Sequence, residues 1–186
     1  MFAQIGAFLI ETVFGLFIFA LLARFHFQWL RVPFRNPLGE FLIVLTNWIV
    51  LPVRRVVPGL AGLDIATLIL AWLGQMASLW LQAAVFSGQL PSISPLALAA
   101  VAAVDLVRFS LYILSAALIV QIVFSWINPY SDVGPVLDAF TRPFLRPLRR
   151  YIKPLGRFDL VPFVLLVLLQ ILLIVIEYVR RAAGGL

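Results

Sequence analysis

The chain has 186 residues, 63% of them apolar and 12% charged, with a net charge of +6. Soluble domains run at roughly 45–50% apolar and about 25% charged, and a water-soluble fold this small could not hide so much apolar surface. With no cysteine and one histidine, His26, the chain excludes disulfides, thiolate sites, cysteine nucleophiles and a histidine-based metal cluster.

The N-terminal apolar run has the character of a retained span rather than a cleaved signal. No Lys or Arg precedes it, Glu11 interrupts it and no small-residue cleavage site follows. This first span covers residues 5–23 and ends at Arg24. Residues 38–51 are apolar but only 14 long, too short to span, with Asn36-Pro37 as an entry break and Pro52 as an exit break. They suit an interfacial helix, the alternative being a re-entrant segment. The second span, 65–86, is 22 residues without a charge, enough at 1.5 Å per residue to cross a ~30 Å hydrocarbon core. Pro91 and Pro95 then mark a break. Residues 95–107 suit a short interfacial helix before the third span, the alternative being one tilted helix of about 50 Å from Pro95; Asp105 and Arg108 stand one helical turn apart and can neutralise each other. The third span is 109–127. Residues 136–145, carrying Asp138, Arg142 and Pro143, are the counterpart of 38–51. The fourth span, 160–176, is closed by Glu177, Tyr178, Arg180 and Arg181. Each span can cross only as a helix, since helices satisfy their own backbone polar groups in lipid.

Basic residues collect in two linkers. Arg31, Arg35, Arg54 and Arg55 follow the first span; Arg142, Arg146, Arg149, Arg150, Lys153 and Arg157 follow the third. The connection 87–94 is uncharged. With four spans both basic loops fall on one side, and the positive-inside bias makes that side the cytoplasm, with both termini outside. Arg180 and Arg181 stand against this assignment, two residues against ten.

The chain also repeats itself. A shift of 95 residues aligns Thr46 with Thr141, Pro52 with Pro147, Arg54 and Arg55 with Arg149 and Arg150, Asp64 with Asp159, and Gln75 with Gln170. Leucines would align by chance; prolines, paired arginines and an aspartate on one diagonal would not. Upstream the register drifts by two and places Trp29 opposite Trp126. The fold class expected is therefore an all-α membrane protein. Four transmembrane helices form two parallel helix–basic loop–helix repeats, residues 1–92 and 93–186, with short interfacial helices in the loops and a pseudo-two-fold along the membrane normal.

The repeated residues admit several roles. Asp64 and Asp159 stand where a polar loop becomes an apolar helix, where a carboxylate can cap free N–H groups or hold an ion. Arg54, Arg55, Arg149 and Arg150 can mark topology, pair with the following Asp, or bind lipid phosphate. Identical spacing in two copies favours bracing plus contact with anionic headgroups or a protein partner. Glu11, Asp105 and Arg108 are charges within spans and so functional suspects; the upstream register sets Glu11 opposite Arg108, with a structural ion pair or snorkelling as the plainer account. No phosphate loop, catalytic carboxylate pair or nucleophile elbow is present, so neither enzymatic activity nor a cofactor is expected. The net positive charge lies between apolar spans and points to a membrane surface rather than nucleic acid.

The stretch NPLGEFLIVLTNWIVLPVRRVVPGLAGLDIATLIL and its echo LDAFTRPFLRPLRRYIKPLGRFDLVPFVLLVLLQ resemble the YggT family of small bacterial and plastid membrane proteins, over nearly the whole chain. The family pattern carries a proline shortly after the aspartate; the second copy has Pro162 there and the first has Thr67, which marks the first copy as the more relaxed. The resemblance implies links to cytochrome maturation and nucleoid organisation in plastids, and to cell-division neighbourhoods and osmotic or potassium tolerance in bacteria. Two functions follow as expectations: an assembly factor whose basic loops dock a partner and anionic lipid, or a small transporter or channel, which four helices could form only as a homo-oligomer.

Overall fold

A computed structural model of the chain describes residues 1–57, 59, 62–128, 133–152 and 159–184. Lys153 and Arg157, and the side chain of Trp126, lie outside the described residues. The described residues form six α-helices and no strand: α1 (Phe2–Trp29), α2 (Pro37–Arg54), α3 (Ile65–Ser87), α4 (Pro95–Ile127), α5 (Gly134–Leu148) and α6 (Val161–Gly184). All but α5 are long and apolar enough to cross a membrane. Large apolar side chains stand exposed along them, Val167, Ile171, Ile174 and Val175 on α6 among them. In water such a surface would aggregate; in a bilayer it is the lipid-facing side. The chain is a multi-pass membrane protein.

Three boundaries differ from those the sequence suggested. Residues 95–107 are not a separate interfacial helix: α4 runs unbroken through 33 residues, about 50 Å at the helical rise. Pro95 occupies its first turn, where a missing N–H costs nothing, and no Gly or Pro follows before its end. The charge of Asp105 does not mark an interface, because it is buried and paired inside the bundle. The segment 38–51 extends to the 18 residues of α2, long enough to count as a fifth candidate span. Pro52 falls in its last turn and does not stop it. Likewise α6 continues past residue 176, taking in Glu177, Arg180 and Arg181.

Local chemistry sets the ends. Asn36 accepts from the Gly39 N–H at 2.9 Å and Pro37 opens α2. A Cβ on Gly39 would sit 2.5 Å from the Phe34 carbonyl oxygen, so this tight entry requires glycine. α3 closes on Gly88 at φ 66°, the left-handed conformation that glycine adopts without strain.

α1 packs most extensively on α3, and α4 on α6. Gly6 faces Val85 and Gly74 faces Ile18, so α1 and α3 run antiparallel with small residues at their contact. Asp105 meets Arg180 and Arg108 meets Glu177, which makes α4 and α6 antiparallel as well. The core joins both pairs through Ile18, Leu21 and Leu22 of α1, Ala71 of α3, Leu118 of α4 and Leu169 of α6. α5 buries Val136, Leu137, Phe140, Thr141 and Leu145 against it, with Phe140 centred 5.9 Å from Phe27 and 6.2 Å from His26 near the C-terminal end of α1.

Candidate functional site

Polar chemistry gathers in two places: the loop ends of the helices, and a cluster of charges inside the bundle.

At the loop end, Arg54 closes α2 and Asp64 opens α3. The Arg54 Nε donates to Asp64 Oδ1 at 3.2 Å, a terminal nitrogen donates to Oδ2, and that nitrogen also reaches Gln28 Oε1 at 3.1 Å. Asp64 Oδ1 accepts the Thr67 backbone N–H at 3.3 Å, and the Thr67 hydroxyl donates to Oδ2. One buried carboxylate thus caps α3 and ties α2 to it. Burial pushes the Asp64 carboxyl up, but the hydrogen bonds from Arg54 and Thr67 and the Arg54 charge outweigh it and hold it below the usual carboxylate range.

Ninety-five residues on, Arg149 donates to Asp159 Oδ2 from Nε at 3.2 Å and from a terminal nitrogen at 2.9 Å, while Asp159 Oδ1 accepts the Val161 N–H at 3.0 Å. The chemistry matches and the setting differs: Asp64 is buried, whereas Arg149 and Asp159 are both exposed. The first copy is therefore not the looser one. Thr67, standing where Pro162 stands in the second copy, contributes two hydrogen bonds that proline cannot.

The repeated threonines meet matching partners. Thr46 is fully buried on α2 and accepts from Arg24 at 2.6 Å; Arg24 also donates to Asn47 Oδ1 at 2.9 Å. Thr141 is fully buried on α5, with its hydroxyl 2.8 Å from Gln121 Oε1. Arg24 and Gln121 are 97 apart, the upstream register that set Trp29 against Trp126. Arg24, placed by the sequence at the end of a span, is a buried structural centre, and that register was the signal for it. Pro52 and Pro147 both fall in the last turn of their helices.

The second arginine of each pair, Arg55 and Arg150, is exposed. The loop helices themselves diverge. α2 exposes Phe41, Val44, Leu45, Trp48 and Leu51, an apolar stripe at helical spacing. α5 exposes Arg142 and Arg146, which continue past its end to Arg149 and Arg150. Asp138 pairs with Arg142 at 2.5 Å.

Inside the bundle Asp105 is a hub. Fully buried, it accepts from Arg180 Nε at 2.7 Å and from Gln75 Nε2 at 2.8 Å, and Arg108 lies 3.2 Å away. It links α3, α4 and α6. Arg108 also reaches Glu177 at 3.4 Å, and Glu177 holds Arg181 at 3.2 Å. Glu11 and Arg108 line one cavity of about 50 Å³ beside this hub, yet they form no ion pair; Arg108 spends its charge on Asp105 and Glu177. The Arg108 Nε is buried without a partner. Arg180, read from the sequence as a flanking charge, belongs to this cluster, and its place one antiparallel step from Asp105 is visible only once α4 and α6 are paired.

The CCB3/YggT family model matches residues 3–85 and 100–179. The chain is 30% identical to the YggT protein of Escherichia coli (strain K12) over 180 residues, 96% of this chain and 93% of the relative. It is 30% identical over 181 residues to a protein of Pseudomonas aeruginosa, covering 95% and 91% of the two chains. A Vibrio alginolyticus protein is 28% identical over 165 residues, 88% and 89% of the two chains. No solved structure matches the chain. A family match across both halves, on an all-helical membrane body, places the chain in the CCB3/YggT family.

Proposed function

We propose that the protein is a membrane-embedded assembly factor. Its body is two helix–loop–helix repeats, 1–92 and 93–186, crossing the membrane four times through α1, α3, α4 and α6. Both basic loops face the cytoplasm, and both termini lie on the outer side of a bacterial inner membrane. Support for four crossings comes from α2. Run antiparallel to α1 across the membrane, its 18 residues would carry Arg54 about 27 Å away from the end of α1. Instead Arg54 contacts Gln28, and Thr46 contacts Arg24. The matching Arg–Asp braces and threonine contacts support the duplication.

The observation that carries the function is the outward cationic face of α5. An interfacial helix ordinarily turns its apolar side to lipid and its charges to water. Here the apolar side is turned to the bundle, so Arg146, Arg142 with its partner Asp138, and Arg150 just past the helix end are presented away from it, to an acidic partner protein or to anionic headgroups. α2 keeps its apolar stripe for lipid and ends it with Arg55, a suitable phosphate ligand. The loops thus divide the work: the first anchors in the leaflet and the second docks. In-cell crosslinking from α5, read by mass spectrometry, tests this. Replacing Arg142, Arg146 and Arg150 by Ala should abolish partner capture while the protein stays folded; unchanged capture removes the proposal.

The buried cluster favours a second reading, a small oligomeric transporter or channel, because charges within spans are often ion pathways. A cavity of about 50 Å³ holds little more than water, so conduction would need further copies. Potassium or proton flux in liposomes decides it.

A further inference from the structure

A groove of about 350 Å³ opens between α4 and α6, lined by Arg108, Tyr112, Gln170, Glu177, Tyr178 and Arg181. Its contents are one-sided. Two guanidinium groups face it against one carboxylate, and that carboxylate is shared, with Glu177 3.4 Å from Arg108 and 3.2 Å from Arg181. Asp105 behind the groove does not restore the balance, because it also serves Arg180. Asp105, Arg180 and Glu11 line the neighbouring cavity and not the groove, so the surplus of one positive charge belongs to the groove's own lining, Arg108 and Arg181 against Glu177. The remaining polar groups, two phenols and an amide, are all able to donate.

We propose that this groove holds the phosphodiester of a membrane glycerophospholipid, seated between Arg108 and Arg181. A phosphodiester supplies one negative charge to balance the groove's surplus, and oxygens that two arginines can hold together. The surroundings fit a lipid better than a soluble anion. Ile174 is exposed at the groove and Ile171 and Val167 continue that exposed face along α6, so acyl chains have an apolar track beneath the headgroup. The volume suits a headgroup. The site stands apart from the cationic loops and does not rest on their proposed role.

The test uses the whole protein in vesicles of phosphatidylethanolamine and phosphatidylglycerol doped with a headgroup-photoactivatable phosphatidylglycerol, with crosslinks mapped by mass spectrometry. Crosslinks should fall on α4 and α6 around Tyr112 and Tyr178. Arg181→Gln, at an exposed side chain that leaves the core intact, should lower them about tenfold, the equivalent of one charge-assisted hydrogen bond. A diacylglycerol probe lacking phosphate should not label the groove, and free inorganic phosphate should not compete. Crosslinks confined to the loops, equal labelling of Arg181→Gln and wild type, or equal labelling by the diacylglycerol probe would overturn the proposal. So would full displacement by inorganic phosphate, which would make the site one for a soluble anion.

Discussion

Arg54 grips Asp64 through two nitrogens while Asp64 caps the helix that follows, so one ion pair fixes both the end of α2 and the start of α3. Asp64→Ala removes a cap and leaves a half-buried arginine without its partner. It should cost about 2–3 kcal/mol, from the cap and the charge-assisted bonds together. Asp159→Ala removes an exposed ion pair and one hydrogen bond to the Val161 N–H, and should cost about 1 kcal/mol, less than Asp64→Ala. Thermal unfolding in detergent of the two variants measures the difference; equal losses would mean that burial does not separate the two braces.

The same pair predicts a dependence on pH. The folded Asp64 carboxyl lies below its ordinary value, so its contribution is complete above the unfolded pKa of about 3.9 and is lost as pH falls through the lower folded value. Stability should therefore drop more steeply on acidification in wild type than in Asp64→Asn. Parallel curves down to pH values below the ordinary carboxylate range would contradict this.

Much of this brace was legible in the sequence because Arg54, Asp64 and their counterparts are separated by only ten residues, and a shared diagonal exposed them twice. Contacts between helices distant in sequence were not. Asp105 and Arg108 are one turn apart and could be paired from spacing alone, but Arg180 lies 75 residues from Asp105 and joins it only because α4 and α6 run antiparallel in one register. The depth of Arg24 was hidden in the same way, since its partners Thr46 and Asn47 sit on another helix. The length of α4 was legible only in part: Pro91 and Pro95 suggest a break before the third span, but a proline in the first turn opens a helix as readily as it ends one, and here Pro95 opens all 33 residues.

Asp105 yields a further prediction. Asp105→Ala strands Arg180 and Arg108 in the bundle and should cost more than about 3 kcal/mol, as the loss of one member of a buried ion pair does. Asp105→Ala combined with Arg180→Leu should recover part of that loss, because the uncompensated charge goes too. Unfolding by denaturing detergent of the single and double variants reports the coupling; strictly additive losses would show that the two residues do not interact.

Thr46→Val should destabilise by about 1–3 kcal/mol, since Arg24 loses a buried acceptor. Thr141→Val should cost less, because Gln121 is neutral and a charged donor suffers more from losing its partner. The ratio of the two, from the same unfolding assay, checks whether Arg24 is held as a charge; a larger loss at Thr141 would argue otherwise.

Sidedness of the loops tests the account most directly, and a chain without cysteine makes that measurement clean. Single cysteines at Arg35, Arg55 and Gln89 should be probed with a membrane-impermeant thiol reagent in intact cells. If α2 returns to the side it left, Gln89→Cys labels from outside, while Arg35→Cys and Arg55→Cys both label only after permeabilisation. Labelling of Arg35→Cys and Arg55→Cys from opposite sides would mean that α2 crosses the bilayer, and the duplicated four-span body would be wrong.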